Sequence, residues 1–154
     1  MSAVTIRAAV QSDVEDAYRL MAGLGYPDLD RPAFQAVFDE LLNRGDMTIL
    51  LAENTSGRVV GLASVSHRPQ LHLTGIVVSL DELVVSDEAR GLGAGRELLD
   101  RVKQMAGELG ARRLELHTNR GRESYKRGFY PKNGFFEANS ALMRLVGDVS
   151  EPRK

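Results

Sequence analysis

Arg90-Gly91-Leu92-Gly93-Ala94-Gly95 sets three alternating glycines behind one arginine, directly after the apolar run Leu83-Val84-Val85 and a short polar turn. Backbone N–H groups with no side chains in the way can converge on one point. The start of a helix adds about half a positive charge there. Arg90 supplies a full charge with several donors. Together these parts suit a diphosphate. A glycine-rich strand-to-helix turn that binds nothing is the plainer alternative. Two other phosphate-binding patterns are excluded. The dinucleotide fingerprint G-x-G-x-x-G requires glycine where Arg96 stands, and no G-x-x-x-x-G-K-[ST] segment occurs.

A second chemical signal lies just upstream. Asp81 and Glu82 interrupt the apolar pattern running from Ile76 to Val85. A carboxylate on such a strand is costly to bury unless it is paired. Regular alternation places Glu82 with Leu80 and Val84 and turns Asp81 to the other face, a distinction that a bulge would blur. Glu82 is therefore the leading candidate for a base and Asp81 the lesser one; a solvated or ion-paired glutamate is the alternative. His67 and His72 bracket a segment containing Pro69 and share no helix face, so a metal pair is not expected and no metal is predicted. His72 is a candidate for lining an acceptor pocket. His117 alternates with Leu116 and is expected to be exposed.

The elements that hold these groups follow from periodicity and punctuation. Thr5-Ile6-Arg7 reads as a strand. Ser12 with Glu15 has the form of a capping box before a helix carrying Val14, Ala17, Tyr18 and Met21. Gly23, Gly25 and Pro27 end that helix. Asp30 before Pro32 starts a second one, with Phe34, Val37, Phe38, Leu41 and Leu42 on one face. Thr48 to Glu53 and Arg58 to Ser66 flank Thr55-Ser56-Gly57 as a hairpin, and Ile76 to Val85 is a third β segment. After Gly91, the stripe Leu98, Leu99, Val102, Met105, Ala106 and Leu109 defines a helix capped by Gly110. Leu114 and Leu116 mark a strand, followed by a short polar helical segment up to Tyr130. Phe135-Phe136 and Ala141 to Leu145 are expected as closing strands.

This order describes a mixed α/β chain, and its 154 residues fit one domain. Residues 1–146 are expected to form that domain, and 147–154 a polar, loose tail. A net charge of -1 lacks the basic excess typical of a nucleic-acid binder. The absence of cysteine excludes disulfides and thiolate metal sites. The N-terminus does not resemble a signal peptide, and no apolar run approaches the roughly 20 residues that span a bilayer. A cytoplasmic protein without membrane partners is the expectation.

The turn resembles the R/Q-x-x-G-x-G/A signature of the GCN5-related N-acetyltransferase (GNAT) superfamily. The likeness extends to Leu83-Val84-Val85 before the turn, Thr118-Asn119 after the next strand, and Phe129-Tyr130-Pro131-Lys132-Asn133-Gly134-Phe135. These elements stand in family order over roughly residues 5 to 146. Leu71-His72-Leu73, Glu82-Leu83-Val84-Val85 and Ala89-Arg90-Gly91-Leu92 look like aminoalkylphosphonate N-acetyltransferases, with some aminoglycoside acetyltransferases also similar. The stretch from Asn119 to Phe129 is about one residue longer than the usual family spacing, which leaves Ser124 and Tyr125 without a firm counterpart.

The resemblance implies an α/β (α+β) fold. Its sheet is mixed, mostly antiparallel, of six to seven strands with a splayed parallel pair, flanked by about four helices. It implies acetyl-CoA as cosubstrate and a small-molecule amine as acceptor. The main chain of Leu83, Val84 and Val85 would pair with the pantetheine arm, and the amides from Gly91 through Leu92, Gly93 and Ala94 to Gly95, with Arg90, would hold the pyrophosphate. Asn119 would bond along the same arm or simply cap the strand end. Tyr130 resembles the family tyrosine beside the CoA sulfur and is the candidate acid. Tyr26 lies in the loop that usually covers the acceptor in this family. Tyr125, Lys126 and Arg127 would contact CoA phosphate or form only a solvated face. Arg68, Arg120 and Arg122 are compatible with an anionic acceptor, although surface arginines are commonplace. Acetylation of a protein N-terminus or lysine, and a catalytically silent CoA-binding domain, stay open. Family members often dimerise, so a homodimer is one open assembly.

Overall fold

The computed structural model describes residues 2–147. They pack as two compact units, one ending at His117 and one beginning at Thr118. The expected tail lies outside the described residues apart from Gly147.

The first unit is built on five strands: β1 (Val4–Ala8), β2 (Met47–Asn54), β3 (Val59–Gln70), β4 (Gly75–Val85) and β5 (Arg113–Leu116). They lie side by side in chain order, antiparallel from β1 to β4 and parallel between β4 and β5. The parallel step requires a crossover, supplied by helix α3 (Ala94–Glu108). Helices α1 (Val14–Leu24) and α2 (Arg31–Leu42) cover one face. Ala17, Leu20, Met21 and Phe38 bury there against Ile49, Leu51, Leu62 and Val84. The other face receives α3, whose Leu98 packs over Gly61 while Leu98, Leu99 and Val102 are fully buried. Each such side chain contributes about 2 kcal/mol relative to exposure.

The helix ends follow local chemistry. Asp30 caps α2 by accepting from the Ala33 amide at 2.9 Å, with Pro32 in the first turn. Helix α3 closes with Gly110 at φ +65 and the paired bonds Ala111 N–H to Ala106 and Gly110 N–H to Gly107, which satisfy carbonyls that a helix end otherwise strands. At α1 the capping residue differs from expectation. Ser12 falls within a 3-10 turn, Gln11–Asp13, and it is Asp13 that reaches back to accept from the Val10 amide at 2.7 Å. Asp13 also takes two bonds of 2.8 Å from the Arg7 guanidinium, whose Nε donates to Glu53 at 2.6 Å. A carboxylate only 6% exposed is favourable here because it accepts three hydrogen bonds, two from Arg7 and one from the Val10 amide.

Entry into α3 depends on backbone conformation. Gly91 and Gly93 have φ of +82 and +77, and Gly93 is the N-cap. A Cβ on either would meet nothing within 4 Å. Glycine is therefore required here for its left-handed φ and not for space.

The second unit contains two single-turn helices, α4 (Glu123–Lys126) and α5 (Phe129–Lys132), joined by Gly128 at φ +70. The Tyr130 ring stands edge-on to Phe129 and Phe135, with centroids 5.0 and 6.0 Å away. The two closing strands expected at Phe135-Phe136 and Ala141 to Leu145 do not form, so the sheet has five strands among the described residues, not six or seven. A strand needs a paired neighbour and a buried face. Phe136 and Met143 are 88% and 87% exposed, and neither segment joins a ladder.

Two stability outcomes follow. Asp13→Asn is expected to cost about 2 kcal/mol in urea unfolding near neutral pH, because it removes the charged acceptor of two Arg7 bonds and leaves the guanidinium only Glu53 as an ionic partner. Arg7 holds the Asp13 carboxyl below its ordinary value. The resulting stabilisation is complete above the unfolded value near 3.8 and is lost as pH falls through the lower folded value; acid titration should therefore narrow the gap between wild type and variant. Gly93→Ala should destabilise by about 1 kcal/mol, and Gly93→Asn by less, since asparagine tolerates the left-handed region better. Equal losses would show that something other than φ selects glycine.

Candidate active site

The parallel pairing of β4 with β5 covers only part of β4. Val77, Val78, Ser79 and Leu80 face Arg113, Leu114, Glu115 and Leu116, and there the ladder stops. From Asp81 to Val85, β4 continues with β3 alone as its partner. The N–H and C=O groups on its β5 side are left without a strand, a ready template for an extended ligand.

A bulge sits at the point of separation. Ser64 pairs with Glu82 and the next β3 residue, Val65, pairs with Leu80, so Asp81 is the extra residue. Neighbouring residues on β3 face opposite ways, so Glu82 and Leu80 do as well. This corrects the regular alternation expected from sequence: Glu82 keeps company with Val84 but not with Leu80. Asp81 is exposed and accepts from the Ser79 hydroxyl at 2.8 Å.

Glu82 reaches a cavity of about 300 Å³ between α1, α2 and the sheet. Met21, Phe34, Phe38, Ile49 and Leu62 contribute to its apolar lining, and Tyr26 lines it while remaining 49% exposed. Ser64, buried to 4%, donates its hydroxyl hydrogen bond to Glu82 Oε1 at 3.0 Å. Sequence reading overlooked Ser64, yet a signal was present: it is the one hydroxyl in the otherwise apolar run Val59 to Val65. A smaller hollow of about 160 Å³ lies beside Val84, Val85, Ser86 and Asp87, with Arg19 and Gly23 of α1 across from them. The Ser86 hydroxyl oxygen has no hydrogen-bond partner among the described residues.

The glycine turn follows directly. Its Ala89, Arg90 and Leu92 amides are spent on carbonyls of the turn itself. The amides of Gly91, Gly93, Ala94 and Gly95 take no backbone acceptor among the described residues. Four donors at the start of a fifteen-residue helix make an electropositive cradle. Arg90 is exposed and pairs with Asp87 at 2.9 Å, a surface contact weak enough to exchange for an anion.

Other candidates lie elsewhere. His72 is exposed in the turn before β4, at the end opposite Val85, and does not line the cavity. His67 pairs with Val78, and no cluster able to hold a metal occurs among the described residues. His117 is exposed, and Arg68 lies exposed on β3. In the second unit, the Asn119 side-chain oxygen accepts from the Gly121 amide at 2.7 Å, capping a local turn. The Tyr125 hydroxyl donates to Glu137 at 2.8 Å, and Arg120 pairs with the same carboxylate. Lys126 pairs with Glu123, and Arg127 lies over the Phe129 ring. Burial raises the Tyr130 phenol above its ordinary value near 10, against the opposing charge of Arg122. No helix among the described residues is long and apolar enough to cross a membrane.

This geometry has relatives. A model of the acetyltransferase (GNAT) family matches residues 8–135. An aminoalkylphosphonate N-acetyltransferase of Salmonella typhimurium strain LT2 is 31% identical over 146 residues, covering 95% of this chain and 94% of that protein. Among solved structures, a transcriptional regulator from Bacillus halodurans C-125 has a TM-score of 0.83 at 24% identity, covering 93% of this chain and 99% of that one. An aminoglycoside N-acetyltransferase in complex with CoA has a TM-score of 0.80 at 21% identity, covering 95% and 96%. At such identities these two structures establish the fold alone. The family match and the Salmonella relative establish more: the chain belongs to the GNAT family of acetyltransferases and is an N-acetyltransferase.

Proposed function

We propose that this enzyme moves an acetyl group from acetyl-CoA to the primary amine of a small molecule by direct attack on the thioester. The observation that carries this reading is the unpaired edge of β4 from Asp81 to Val85, set between the glycine amides at one end and Glu82 with its cavity on one face. The pantetheine arm pairs with the main chain of Leu83 to Val85 as an added strand. The amides of Gly91 to Gly95 hold the pyrophosphate, and Arg90 leaves Asp87 to join them. The Salmonella relative's action on an aminoalkylphosphonate supports a small amine as acceptor.

The chemistry assigns three tasks. An alkylamine with a pKa near ~10 is protonated at neutral pH and must lose a proton before it attacks. Glu82 takes that proton, directly or through a water molecule. As the new C–N bond forms, the thioester carbonyl becomes an oxyanion, which a backbone N–H near Val84 or Val85 stabilises. Collapse breaks the C–S bond and expels the CoA thiolate. Tyr130 gives that thiolate a proton. The assignment of Tyr130 rests on the Phe129-Tyr130 resemblance and on burial, which keeps the phenol protonated well past neutrality.

Two substitutions test these roles. Glu82→Gln should lower kcat about 100-fold near neutral pH and less at alkaline pH, where the amine deprotonates unaided. A pH–rate profile identical to wild type would discard Glu82 as base. Tyr130→Phe should lower kcat about 100-fold while leaving acetyl-CoA affinity, measured by calorimetry, within a few-fold of wild type. Unchanged turnover would remove Tyr130 from the reaction.

A further inference from the structure

From the cavity beside Glu82 we infer that the acceptor is an amine with an apolar body, a short alkyl or single-ring arylalkyl chain, and not an anionic amine. The inference rests on the proposed reaction, because it uses Glu82 as the group that receives the amine.

The lining carries the argument. Among the described residues, all that line the cavity are apolar apart from the Tyr26 hydroxyl, Ser64 and Glu82, and none is a lysine, arginine or histidine. A phosphonate, phosphate or carboxylate set among these side chains would exchange water for an apolar lining and gain no cation from it, a cost that disfavours the charged form relative to an apolar group. Arg31 stands on the same helix as Phe34 but is engaged by Glu15, by Gln35 at 3.1 Å and by the Tyr18 ring. An ammonium head fits the one charged end, since Glu82 supplies the opposite charge and Ser64 orients its carboxylate at 3.0 Å. An apolar tail then runs away from the sheet between Met21, Phe34, Phe38 and Leu62. The volume of about 300 Å³ lies at the lower limit of small-molecule pockets, which admits one ring or a few methylenes. Tyr26 and Val37, about half exposed, stand at the mouth.

The Salmonella relative is named for an aminoalkylphosphonate, so the two proteins would differ in acceptor while sharing a fold.

The test is an acceptor series with acetyl-CoA, read as released thiol. Primary amines from ethylamine to hexylamine, phenethylamine and 2-aminoethylphosphonate are compared at one pH. With the alkylamines, kcat/KM should rise about fourfold per methylene until the cavity is full. Phenethylamine should exceed 2-aminoethylphosphonate by at least about 100-fold. Val37→Arg puts a cation at the exposed mouth without touching the reacting groups. It should narrow that gap by raising activity on the phosphonate and lowering it on the longer alkylamines. Preference of the wild type for the phosphonate, or a flat response to chain length, overturns the apolar acceptor and leaves the transferase reading standing. Silence toward every amine, with acetyl-CoA shown by calorimetry to bind, overturns the proposed reaction itself.

Discussion

Backbone hydrogen bonding cannot be left unmet on an extended chain, and this constraint organises the molecule at one place. Strand β4 is paired on both sides as far as Leu80, and beyond it on one side only. The change falls at the Asp81 bulge, which adds a residue to β4 without adding one to β3. Bulges raise local twist and re-aim side chains. Here the bulge accompanies two changes. The β5 side of β4 is left to another extended partner, and Glu82 turns to the face covered by α1 and α2. Were Leu80, Asp81 and Glu82 paired in a regular ladder, Glu82 would share the face of Leu80, which looks toward α3. The unpaired edge and the face taken by the candidate base thus depend on the same irregularity.

The glycine turn extends that logic past the end of the strand. A chain leaving a parallel strand has to reverse into its crossover helix, and the left-handed φ of Gly91 and Gly93 accomplishes this in a few residues. Around them, the amides of Gly91, Gly93, Ala94 and Gly95 have no backbone carbonyl of their own among the described residues. The turn that the topology requires is therefore the turn that leaves donors free. Helix α3, fixed by Leu98, Leu99 and Val102 in the core, keeps the cradle and the β4 edge on one rigid support. Well-anchored donors lose little freedom when a phosphate arrives.

Much of this was legible in the sequence because it was local. The spacing Arg90 to Gly95 after an apolar run announces a strand, a turn and a helix in order, and each occurs. The stripe in α3, the cap at Asp30 and the hairpin around Gly57 likewise depend on neighbours within a few residues. The Asp81 bulge was less accessible, because register is a property of two strands: Ser64 and Val65 on β3 decide which face Glu82 takes. The capping role of Asp13 was hidden for the same reason, since Arg7 and Glu53 complete it from two other elements. The segments after Gly134 read as strands from their apolar residues alone. Apolar content suggests a strand, but only a partner edge makes one, and none reaches Phe136 or Met143.

The acceptor cavity illustrates why a family relationship limits function without fixing it. The β4 edge and the glycine amides present backbone groups, which almost any side-chain substitution leaves in place. The cavity beside Glu82 is made of side chains from α1, α2 and three strands, so a single substitution changes its polarity. A sheet that holds one cosubstrate through its main chain can thus be retained while the acceptor changes. Charge makes the strongest distinction, because an unpaired anion in such a lining costs more than several methylenes gain. Under the proposed reaction, the residues that would decide the acceptor are those around Met21, Phe34 and Leu62, which no motif marks, and not the glycines by which the family is recognised.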